Sequence, residues 1–87
     1  MYNFDVEDKL QEILKKLSKK DSLLHKRVLK KIQEIVNSYD VESYKNLRHD
    51  MKDYKRVQIG HFVLVFRFDK VNNLIIFDDF DHHDRVY

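Results

Sequence analysis

Halfway along the chain the spacing of apolar residues changes from helical to extended, and few folds accommodate such a change in so short a sequence. Val6, Leu10, Ile13, Leu14 and Leu17 fall on one stripe of a helix over about residues 6–19, with Asp5 as its expected N-cap. Leu24, Val28, Ile32, Ile35, Val36 and Tyr39 mark a second helix over about residues 22–39. The short connection at Lys19 and Lys20 favours an antiparallel pair. From Tyr54 to Ile59 polar and apolar residues alternate, and Gly60 and His61 then interrupt the pattern. Phe62 to Phe68 is a nearly continuous β-branched and aromatic run, and Leu74 to Phe80 is another after a turn signal at Asp69 to Asn73. Consecutive strands with such short connections read as an antiparallel meander, to which Tyr2 to Phe4 can add a short edge strand.

Neither helix buries its stripe alone, so both are expected to lie across one sheet face, with Leu14, Ile32 and Val65 in the core. The expected fold class is α+β: an N-terminal helical hairpin packed on one face of a three- to four-stranded antiparallel sheet, in one domain over residues 1–87. The second sheet face stays more open, and a ligand would meet side chains held there on rigid strands.

Cysteine is absent, which excludes a disulfide framework and a thiolate metal site and fits a reducing, cytoplasmic setting. The charged N-terminal region has neither the apolar core of a signal peptide nor a membrane span, so no membrane association is expected. The net charge of +2 conceals an uneven distribution. Between Lys15 and Lys31 eight basic residues face one acid, Asp21, whereas the last ten residues hold four aspartates against Arg85. Basic stretches of this kind either contact phosphate backbones or form a solvated helix surface. Gly60 is the only glycine, so no phosphate-cradling loop and no nucleotide cofactor is expected.

Within this layout the segments YKNLRHD, YKRVQIGHFVLVFRFD and DFDHHDRVY resemble the signature regions of the RelE/ParE toxin superfamily. The resemblance implies the toxin of a type II toxin–antitoxin pair, held inactive by a cognate antitoxin and assembled into oligomers through it. Many members cut messenger RNA on the ribosome without metal; others act on a protein target such as gyrase, or keep only the antitoxin-binding surface. Arg56 matches a basic position that the superfamily uses for phosphate or proton-transfer work, and Tyr87 matches a terminal tyrosine. Three positions depart from the pattern. Gln58 stands where a second basic residue is common, Val63 where many of the nucleases have an arginine, and His83 where the terminal motif has an arginine.

Histidine exchanges a proton near neutral pH, which makes His82 and His83 the natural acid or base for RNA scission without a metal. Were the strand to continue to residue 83, Asp79, Asp81 and His83 would share one face, and Phe80 and His82 the other. Asp81 or Asp84 can orient an imidazole, yet these carboxylates also repel phosphate. Lys52, Lys55 and Arg85 are the candidate substrate-binding cations, although Arg85 can equally pair with Asp81 or Asp84 and the lysines can be simple loop residues. Tyr87 can stack on an unpaired base or pack on the sheet. The Asp/His-rich segment from Asp78 to Asp84 contains zinc or manganese donors, but consecutive strand residues face opposite ways and no metal is expected. His25, His49 and His61 show no partner spacing and read as surface residues.

Overall fold

The computed structural model describes residues 2–48 and 51–86, with the backbone alone for Met51 and Lys52. Strand β1 (Asn3–Val6) leads into helices α1 (Asp8–Lys20) and α2 (Ser22–Val36). A 3-10 turn at Val41–Ser43 follows, then strands β2 (Asn46–Arg48), β3 (Met51–Ile59), β4 (Phe62–Asp69) and β5 (Leu74–His82), and a last short helix α3 (His83–Val86). The strands form one sheet in the order β1-β5-β4-β3-β2.

The α+β architecture is as expected from the two periods, but the sheet has five strands and is mixed. β1 runs parallel to β5, from Asn3 opposite Leu74 to Val6 opposite Phe77. Parallel neighbours need a crossover, and α1 and α2 belong to the connection that carries the chain from β1 across the sheet. Val6 therefore ends a strand and does not begin a helix. The first helix starts two residues later, capped at Glu7 without a side-chain bond, while Gln11 Nε2 donates to the Val6 carbonyl (2.8 Å). Asp5 is consequently not the N-cap. α2 is capped as a helix of this sequence should be, the Asp21 carboxylate accepting from the Leu24 N–H at 3.1 Å. It ends at Val36, short of the expected Tyr39. The Tyr2 N–H donates to the Val36 carbonyl, and the Tyr2 hydroxyl accepts from the Val41 N–H, which fixes where the chain leaves the helix.

One large core lies between the helices and the sheet, with Leu10, Val28 and Ile35 of the helices against Leu64, Phe66, Ile75 and Phe77 of the strands. Ile32 belongs to it as expected. Leu14 is only half-buried at its margin, because it borders an open groove described below. Val65 is buried, but in a second small cluster with Leu47 and Val63 on the opposite sheet face. That face is thus less open than expected, since Tyr54 and Val86 also pack there.

A register shift decides which residues reach that second face. Val65 pairs with Asp79 and Phe66 with Phe77, leaving Asp78 as an extra residue on β5. Ile75, Phe77 and Phe80 all enter the large core, so the core side of β5 passes from odd to even positions at the bulge.

Candidate functional site

The open face is built from alternate residues of three strands. Arg56 lies opposite Val65 and Gln58 opposite Val63, while Val65 and Val63 in turn pair with Asp79 and Asp81. Directly paired residues project on the same side of a sheet, so Arg56, Gln58, Asp79 and Asp81 share this face. A shallow cavity of about 290 Å³ runs along it, floored by Leu47, Tyr54 and Val65 and rimmed by Asp79, Asp81 and Arg85. Arg85 Nη1 stands 3.6 Å from Asp81 Oδ1, and Lys9 of α1 pairs with Asp79 at 3.0 Å. Both aspartates that would repel a phosphate are thereby partly offset by a cation.

The sequence-derived cations occupy different situations. Arg56 Nε donates to the Asn46 carbonyl (3.1 Å), so its guanidinium is held against β2. Lys55 Nζ contacts the carbonyls of Glu42 and Tyr44 and Asn46 Oδ1, at 3.0 to 3.3 Å, and ties the 3-10 turn to the sheet. Arg85 is the most exposed of the three. The Lys52 side chain, His49 and Tyr87 lie outside the described residues. Val63, where the superfamily resemblance would place an arginine, is fully buried and packs with Leu47 and Val65. A neutral methyl-bearing side chain there completes the small cluster under the cavity.

The strand does not continue to residue 83. β5 ends at His82, and α3 begins at His83, whose N–H donates to the His61 carbonyl at 2.9 Å. His82 lies opposite Phe62 and turns to its ring edge-on, at a centroid separation of 5.6 Å. Its other face stacks on His61 at 6.2 Å. His83 Nδ1 is buried without a hydrogen bond, although Asp84 Oδ1 stands 3.3 Å away. Asp84 Oδ2 lies 3.4 Å from His82 Nδ1, so one carboxylate serves both rings. The two histidines and Asp84 thus cluster at the end of β5, with His82 on the same sheet side as Phe62, which packs on the large core, and with Asp84 followed in sequence by Arg85 of the cavity rim.

Sequence reasoning missed three contributors. His61 is exposed as expected, yet it stacks on His82 and holds His83 through its carbonyl. Arg48 Nη2 reaches the Val86 carbonyl at 3.5 Å, which brings β2 to α3. Arg67 bridges Asp78 (3.2 Å) and Glu7 (3.5 Å) next to the bulge. Burial raises the Asp78 carboxyl above its ordinary value of 3.8, outweighing the lowering by Arg67, with Glu7 and Asp79 adding to the rise. Only the Gly60–His61 turn signal pointed toward any of these.

A second concavity lies on the helix side, away from the histidines. Phe4 and Val6 of β1 with Leu14, Leu29, Ile32 and Val36 of the helices line a mostly apolar groove of about 550 Å³, edged by Lys26 and Lys30. Phe4 is 50% and Leu29 44% exposed within it.

Comparison with known proteins is consistent across the chain. The sequence profile of the family described as "ParE toxin of type II toxin-antitoxin system, parDE" matches residues 2–87. A Methanocaldococcus jannaschii protein named "Putative toxin RelE4" is 49% identical over 88 aligned positions, which cover 100% of this chain and 92% of that protein. Among solved structures, the isolated Escherichia coli RelE toxin superposes with a TM-score of 0.74 at 20% identity, covering 94% of this chain and 84% of that one. A chain of the intact Escherichia coli RelBE toxin–antitoxin complex gives 0.73 at 20% identity, with 94% of this chain and 96% of that one covered.

Proposed function

The chain belongs to the RelE/ParE family of type II toxin–antitoxin toxins, and from that premise we propose that it is a metal-independent RNA endonuclease restrained by a cognate antitoxin. The observation that carries the catalytic half is the clustering of His82, His83 and Asp84 at the end of β5, next in sequence to Arg85 of the cavity rim. Cleavage without metal requires a group to take the ribose 2′-proton and a group to protonate the leaving oxygen, and imidazole does both near neutrality. His83 has its Nδ1 buried 3.3 Å from Asp84 Oδ1 while its side chain remains 42% exposed, so the ring has a carboxylate beside one nitrogen and reaches solvent elsewhere. Arg56 and Arg85 supply the phosphate contacts, on the ribosome or on free messenger RNA.

The antitoxin half rests on the helix-side groove. A soluble protein rarely leaves Phe4 and Leu29 side by side in water unless something covers them. Lys26 and Lys30 at the edge suit an apolar segment flanked by acidic residues. This groove lies apart from the histidine cluster, so antitoxin binding and cleavage separate under mutation.

Replacing both His82 and His83 by Ala is expected to lower RNA cleavage by about a hundredfold or more, with the antitoxin complex retained. Cleavage is measured by mapping messenger RNA ends after induction, alongside plasmid supercoiling. Unchanged RNA ends in the double variant would refute the assignment.

A second reading, a ParE-like inhibitor acting on a protein target without chemistry, is favoured by Val63, whose burial leaves the family's charge clamp unbuilt, and by the aspartates on the cavity rim. Loss of supercoiling without new RNA ends is its signature. Neither effect would indicate a module that only binds antitoxin.

A further inference from the structure

The end of β5 carries a second chemistry that its alternation pattern conceals. His82 and His83 would project oppositely from a continuing strand, but the turn into α3 brings one donor atom from each of His82, His83 and Asp84 within 4.8 Å of the other two. Asp84 bridges the rings, with Oδ2 at 3.4 Å from His82 Nδ1 and Oδ1 at 3.3 Å from His83 Nδ1. In a tetrahedral site with bonds of about 2.0 to 2.1 Å, ligand atoms stand roughly 3.4 Å apart. Each imidazole already has that separation from one carboxylate oxygen, but from a different one. A shared metal therefore requires the carboxylate to turn and the two imidazoles to close on each other, by rotation of side chains that are each at least partly exposed.

The hydrogen bonding leaves these donors available. His83 Nδ1 is buried and has no hydrogen-bond partner. His82 Nδ1 accepts only a long bond from the Asp84 N–H, at 3.3 Å. The backbone holds the arrangement from below, since the His83 N–H is fixed to the His61 carbonyl. Arg85, the next residue in the chain, is directed to Asp81 at 3.6 Å, which partly offsets its charge.

We propose that His82, His83 and Asp84 bind one borderline transition-metal dication, with zinc as the representative, through two imidazole nitrogens and a carboxylate. Two nitrogen donors disfavour magnesium and calcium, which prefer all-oxygen shells. Three protein ligands leave a fourth position for water. An imidazole lone pair bound to metal cannot take up a proton, so, if the nuclease reading of these histidines holds, the metal silences cleavage and a chelator raises it.

Isothermal titration of zinc chloride into the purified full chain tests binding directly, and cobalt(II) absorption reports the coordination geometry. One equivalent per chain is expected. His83→Ala and Asp84→Asn should each weaken binding by roughly 10- to 100-fold or more, the scale on which even supporting groups act, while His25→Ala on α2 leaves it unchanged. Asp84 is 74% exposed, so its variant reports on ligation without threatening the fold. Absence of a saturable heat, or wild-type affinity in the Asp84→Asn protein, would overturn the site. Stoichiometric binding that leaves RNA cleavage unaltered would support the site and count against the catalytic role of the histidines.

Discussion

Asp78 is the residue at which the fold works against its own charge. It is the extra residue of the β5 bulge, and its carboxyl, only 19% exposed, is squeezed between Arg67, Glu7 and Asp79. Burial outweighs Arg67 and raises its pKa above 3.8, so the folded chain holds this proton more tightly than the unfolded one. Ionisation of Asp78 therefore lowers stability at neutral pH, and the loss is recovered as pH falls through the raised value toward 3.8. Asp69 and Glu34 behave oppositely, because hydrogen bonds from Asn72 and Lys31 respectively hold them low. Total stability mixes these trends, and a difference measurement isolates the one of interest. Urea midpoints of the wild type and Asp78→Asn, compared across the acid range, should shift in favour of the wild type as pH falls. A pH-independent difference would show that burial does not govern this carboxyl.

At the level of elements, both helices and strands are locally specified as to type, but which side a strand presents to solvent is not. α2 begins where Asp21 caps it, and its stripe from Leu24 to Val36 is buried as periodicity requires. Asp21→Ala should cost about 1 kcal/mol, typical for loss of an N-cap, in thermal or urea unfolding; a change within error would mean that another group satisfies the Leu24 N–H. β5 presents the contrary case. Its composition marks it as a strand, yet the bulge at Asp78 and the stop at His82 determine what it presents to solvent. Without the bulge, Phe80 would leave the core and Asp79 would enter it.

For the molecule as a whole, the relevant property is that the helix-side groove and the far-face cavity lie on opposite sides of the sheet. The groove between β1 and the helices is apolar and edged by lysines, whereas the cavity on the far face has an apolar floor and a charged rim of Lys9, Asp78, Asp79, Asp81 and Arg85. Leu29→Glu should weaken the complex with the cognate antitoxin by about tenfold or more, equivalent to roughly 1.4 kcal/mol, while the RNA cleavage proposed for the free toxin should be unchanged. Titration calorimetry on the purified pair measures the first effect and RNA end mapping the second. Wild-type affinity in the variant would move the antitoxin to another surface.

The amino-acid sequence alone determined the two helices, the three long strands and the set of groups available for chemistry. Each of these follows from a pattern within a dozen or so neighbouring residues: Val28 and Ile32 fall one helical turn apart, and Val63 to Phe68 favours extended backbone whatever surrounds it. Tertiary structure alone decided that β1 lies parallel to β5, that Val65 and Val63 support a second small core, and that His82 and His83 meet around Asp84. These outcomes depend on register between residues as distant as Asn3 and Leu74, or on the pairing that leaves Asp78 unmatched. Periodicity records which side of an element is apolar. It carries no information about which distant strand supplies the partner or where a bulge reverses the sides, because those are settled by the packing of the assembled sheet against its helices.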